Sequence, residues 1–289
     1  MTILDSTAAQ IGRPRIGRPW AVAATAVSYV LATLLASFLA NPAHPKAFAV
    51  VPIVLAMITG AVGAVTIGPL AQRLPIRLPT RLAVVTMLVY LLMTVSNAVE
   101  ALLFIKDASA LILLTGAVLA VGIAVPATVL WPPPETGRSV PAALRSTLNS
   151  RPWWAWSWRF VVASLVWVPV YFVFAAADAP FVHRYYAEQH TPFVRPDDGL
   201  VALAELSRGV LHALVLAVLA ALLLRSRRST WWWLALAFAV LNSWLPLIQR
   251  SDWPLYLRTA NLVEITCDAI IYGGLVTVLL TARRDKDRQ

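Results

Sequence analysis

Charge is scarce in this chain and sulfur scarcer still. Of 289 residues only 13% are Asp, Glu, Lys or Arg, roughly half the share of an ordinary soluble domain. The one cysteine, Cys267, excludes an internal disulfide framework and any CxxC metal motif. The sequence has no HExxH pair, no paired-Asp motif and no Ser or Cys nucleophile signature. Of its four histidines only His212 falls in mid-span, so the two axial ligands that a b-type haem wants are missing. The formal charge of +10 would suit nucleic acid, but the basic residues come in short clusters between apolar runs and line no single face.

What is present is hydrocarbon. Hydrophobic residues make up 59% of the chain and the mean hydropathy is +0.71, so the natural solvent is a lipid bilayer. The expected fold is all-α, a polytopic transmembrane helix bundle. Its eight spans are read at 19–40, 47–71, 82–105, 108–131, 153–177, 200–224, 230–250 and 256–282. Basic tails at 1–18 and 283–289, a linker at 132–152 and an external loop at 178–199 complete the plan. The first span is too long for a signal-peptide core and no clean A-x-A site follows it, so it reads as a true span. The runs WWAWSW (153–158) and TWWW (230–233) mark span edges as an interfacial tryptophan belt.

Loop charges set the orientation. With the N-terminus cytoplasmic, that side collects sixteen Lys and Arg residues against six outside, which places both termini inside. The Arg-, Ala- and Pro-rich composition points to a GC-rich bacterium, and hence to its inner membrane. Eight spans with this orientation divide into two four-span halves, 19–131 and 153–282. Arg18-Pro19-Trp20 is echoed by Arg151-Pro152-Trp153, and Asn97 in the third span by Asn242 in the seventh. A 4+4 duplication is therefore an expectation, set against chance similarity between Leu- and Ala-rich helices.

The polar residues inside the spans form a pattern. At 1.5 Å rise per residue, Glu205, Arg208 and His212 lie roughly 7, 12 and 18 Å below the outer end of the sixth span. Asn261, Glu264 and Asp268 lie at about the same three depths in the eighth, and Glu100 and Asn97 at roughly 7 and 12 Å in the third. Asn242 sits at a similar level in the seventh. Spacings of i, i+3 and i+7 put each set on one helix face; Tyr272 extends the eighth-span stripe, and Tyr90 shares the third. Each ionised group near the bilayer centre costs about 2.5–3.5 kcal/mol. Convergence on one outward-facing pocket makes that tolerable. Four carboxyls against Arg208 leave a negative excess, so protons, a cation or a basic substrate must supply the balance, or water must fill the site. On the plainer reading, Glu205 and Arg208 pair along their own helix and the asparagines act as interhelical glue.

Three functions are compatible with this pattern. The first is a proton- or cation-linked transporter or small-ligand-binding membrane protein, with Glu264, Asp268, Glu205, Arg208, His212, Asn97, Glu100, Asn242 and Asn261 lining the site. The second is an intramembrane metal-dependent enzyme acting on a lipid-linked substrate, with His212, Glu264 and Asp268 as candidate ligands. The third is a non-catalytic subunit or assembly factor. The sequence indicates no particular cofactor and no oligomeric state. His183 and His190 in the external loop read as ordinary loop histidines.

Overall fold

The computed structural model describes residues 19–41, 49–105, 108–133, 137, 139–187, 196–223 and 226–281. The basic tails and His190 lie outside them, as does the side chain of His183. Among the described residues the chain is helical and strand-free, and eight helices are long and apolar enough to cross a membrane. They are α1 (Pro19–Ala40), α2 (Val50–Gln72), α3 (Leu78–Phe104), α4 (Leu111–Leu130), α6 (Trp153–Ala187), α7 (Asp198–Leu222), α8 (Arg227–Gln249) and α9 (Leu255–Leu280). The short helix α5 (Val140–Leu148) lies in the linker, its N-terminus capped by Ser139 Oγ accepting from Ala142 N. This is a multi-pass membrane protein in contact with lipid.

Helix faces follow from residue size. On α1, Val27, Leu31, Leu35 and Phe38 recur every three or four residues and are exposed, while Ala21, Ala26, Tyr29, Ala32 and Ala36 face inward. Lipid tails are as apolar as leucine, so the large aliphatics gain nothing by burial and the small residues let backbones approach. Two glycines are fixed by such approaches. A Cβ on Gly60 of α2 would lie 2.7 Å from Ala26 Cα and 2.9 Å from Tyr29 Cβ of α1. A Cβ on Gly209 of α7 would lie 3.0 Å from Trp167 Cβ of α6 and would strike the Ser164 carbonyl.

The packing has a repeated order. In the first four spans, α1 packs on α2 and α4, and α3 on α4; in the last four, α6 packs on α7 and α9, and α8 on α9. Between the groups α2 meets α8 and α3 meets α7. At the centre, α3 and α8 touch through two π-helical turns, Tyr90–Val95 and Val240–Trp244. A π turn spaces its carbonyls too widely for ordinary i→i+4 bonding. The Asn97 amide meets that need, donating to Met93 O (3.0 Å) and Leu92 O (3.4 Å), and across the interface to Asn242 O (3.1 Å).

The two largest boundary shifts are at the end of the fifth span and the start of the third. The fifth span does not stop at 177: α6 continues through Ala187, so ten residues assigned to the external loop are helix. Pro169 and Pro180 lie inside it, as membrane helices tolerate. The third span starts at Leu78, four residues early, which takes Arg81 out of the loop and into the helix.

Candidate functional site

Arg208 is the hub. Its guanidinium is 2% exposed and donates through Nη1 to Glu205 Oε1 (2.8 Å) and Oε2 (3.0 Å) on its own helix, and to Glu100 Oε1 (2.6 Å) on α3. Nε donates to Ser96 Oγ at 3.2 Å. Glu205 is fully buried and also accepts from Trp167 Nε1 at 2.8 Å. Ser96 lies 2.8 Å from His212 Nε2. Arginine only donates, so Ser96 Oγ accepts from it while also holding His212 Nε2. His212 Nδ1 is buried without a hydrogen-bond partner.

The carboxyls converge from four helices: Glu100 from α3, Asp178 from α6, Glu205 from α7, Glu264 and Asp268 from α9. Glu264 is close enough to interact electrostatically with Asp178, Asp268 and Glu100, as is Asp268 with Arg208, Glu205 and Glu100. The Asp178 and Glu264 carboxyls lie close enough to interact with each other. Asp268 is 1% exposed and its Oδ1 has no partner. Glu100, 31% exposed, and the half-buried Glu264 form the rim.

Beneath the charges lies an aromatic floor. Trp167, Phe238 and Tyr272, all buried, enclose His212 in edge-to-face contacts; ring centroids are 4.7 Å from His212 to Trp167 and 4.6 Å to Phe238. Tyr272 Oη donates to Ala163 O (3.1 Å) and Gly209 O (3.3 Å), tying the floor to α6 and α7. Edge-to-face packing of this kind is close and water-excluding.

Of the residues expected from sequence, Glu100, Glu205, Arg208, His212, Glu264 and Asp268 are brought together. Asn97 and Asn242 stand beside them as a tie between α3 and α8. Asn261 spends its amide on Leu257 O of its own helix (2.9 Å). Asp178, Ser96, Trp167 and Tyr171 join the cluster unforeseen. Asp178 follows Trp167 by eleven residues and Tyr171 by seven, a one-face spacing that was hidden by ending the span at 177. Two surface concavities stand out, about 640 Å³ at Leu148–Ser157 and about 490 Å³ between α6 and α7 near Pro169 and Leu203, and neither reaches the carboxyls. Among the described residues no group of three or more His, Cys, Asp or Glu side chains is arranged to hold a metal ion; His212 Nε2 is engaged by Ser96, apart from Glu264 and Asp268. Cys267 is free and half-buried.

No protein-family model matches the chain, and no curated protein or solved structure matches it either.

Proposed function

We propose that the chain is a proton- or cation-linked transporter whose coupling site is the carboxyl cluster around Arg208, opening to the outside of a bacterial inner membrane with both termini cytoplasmic. One observation carries this reading: five carboxyls from four helices interact with one another around Arg208, which bonds only Glu100 and Glu205, and one of the others, Asp268, is buried with an oxygen that no protein group satisfies. Intramembrane acids in such excess are costly unless a mobile positive charge completes them. The aromatic floor supports a closed, one-sided arrangement, because it lies between the cluster and the arginine-rich end. Glu100 is the only charged member from the first four spans, so its bond to Arg208 links the two groups of helices.

The two groups read as copies of one unit related by an axis along the membrane normal. The repeated packing order supports this, as do the glycine-on-aromatic contacts Gly60–Tyr29 and Gly209–Trp167 and the paired π turns. Glu100 apart, the charges of the cluster come from the second group of helices.

The test is electrical. Purified protein in liposomes on a supported membrane is stepped in pH, Na⁺ or K⁺, and transient currents are recorded. The wild type is expected to give a saturable current for at least one of these ions, and Asp268→Asn to abolish it while the protein still folds. Silence of the folded wild type to all three steps, or an unchanged current in Asp268→Asn, would leave the cluster as interhelical packing.

A further inference from the structure

A second buried charge lies at the opposite end of the bundle. Arg81, in the first turn of α3, is 2% exposed. Its one side-chain hydrogen bond runs from Nη2 to Thr128 O on α4 at 3.2 Å. Nε and Nη1 are buried without partners, and so is the Thr128 hydroxyl. No acidic side chain among the described residues pairs with it. The one acid in α1 to α4 is Glu100, about 28 Å further along the same helix. A guanidinium cannot shed its proton, and a buried charge is strongly disfavoured unless something of opposite sign pairs with it.

The depth is informative. Arg81 is about 5 Å from the start of α3, and Thr128 about 3 Å from the end of α4. Their neighbours Leu78 and Val129 are exposed on the lipid-facing surface, and Arg77 stands exposed one turn away. Basic pockets between helices at this level of a membrane hold anionic headgroups.

We propose that Arg81 and Thr128 form a binding site for a phosphate-type oxyanion between α3 and α4, separate from the carboxyl cluster and independent of its function. The three N–H groups on Nε and Nη1 donate to the oxyanion, and the Thr128 hydroxyl adds a fourth donor. Thr128 O holds the guanidinium in place through Nη2. The ligand is either the phosphate of an anionic phospholipid or a soluble phosphate.

The experiment uses the full chain and reads thermal unfolding. One arm titrates inorganic phosphate in detergent against chloride at equal ionic strength. The other adds phosphatidylglycerol or phosphatidylcholine in phosphate-free buffer. The wild-type midpoint is expected to rise saturably with phosphate or with phosphatidylglycerol, and whichever acts names the source. Arg81→Gln is expected to weaken that response at least roughly tenfold, the loss of a charge-assisted contact. Thr128→Val is expected to weaken it less, and it carries the test alone if Arg81→Gln does not fold. The proposal is overturned if neither probe stabilises the wild type, if chloride or phosphatidylcholine does as well, or if both variants respond like the parent.

Discussion

Replacing Arg208 with Gln removes the bonds of 2.6, 2.8 and 3.0 Å that its Nη1 makes to two carboxyls. The two acids are left in unequal positions. Glu100 is 31% exposed and regains water. Glu205 is fully buried and keeps only the Trp167 bond. Removing one partner of a buried ion pair costs about 3–5 kcal/mol, because the survivor stays buried and uncompensated. Most of that loss should come from Glu205. Arg208→Gln should therefore cost about 3–5 kcal/mol, while Glu100→Gln, which leaves Arg208 its helical partner, should cost about 1 kcal/mol. The double variant Glu205→Gln/Arg208→Gln should recover most of the loss, since neither charge remains. Reversible unfolding in mixed micelles, followed by helical circular dichroism as the denaturing detergent fraction rises, measures all three. An Arg208→Gln cost below about 1 kcal/mol, or a double variant no more stable than the single, would refute the assignment of Arg208 as the group that stabilises the buried acid.

Gly209→Ala should lower stability by about 1–3 kcal/mol through overpacking and push Trp167 off Glu205, where the added methyl would press on Ser164 O and Trp167 Cβ; a variant as stable as the parent argues against that helix contact. Asn97→Ala should cost about 0.6–1.7 kcal/mol, the range of interhelical polar contacts in membranes, and should not be rescued by Asn242→Ala, since Asn97 bonds the Asn242 backbone and not its side chain; rescue in the same unfolding assay would contradict this geometry.

The spans were legible because lipid solvation demands long apolar runs, and the charged stripes of α7 and α9 because helical spacing alone puts Glu205, Arg208 and His212, or Glu264 and Asp268, on one face. Asp178 escaped because a span of ordinary length ends before it; α6 runs on for ten more residues, and nothing in its apolar pattern marks the crossing. Arg81 looked like loop charge for the complementary reason, a helix that begins a turn early. Ser96 and Trp167 are ordinary residues in a membrane sequence, and only the position of Arg208 gives them work. The π turns left no trace in the sequence, since their wider winding comes from how α3 and α8 pack.

The π turn at Tyr90–Val95 holds one residue more than an α-helical turn requires, and that surplus is slack. Slack of this kind travels: passing it one turn along a helix swings the residues in between by about 100° around the axis and leaves both ends of the helix where they were. Ser96, Asn97 and Glu100 sit immediately downstream. A shift of the surplus past them would carry Glu100 away from Arg208 and Ser96 away from His212 with no loop moved and no helix tilted. The neighbouring turn at Val240–Trp244 gives α8 the same freedom, so the two central helices can behave like a pair of adjacent screws, each able to release its grip on the other by slipping a single thread.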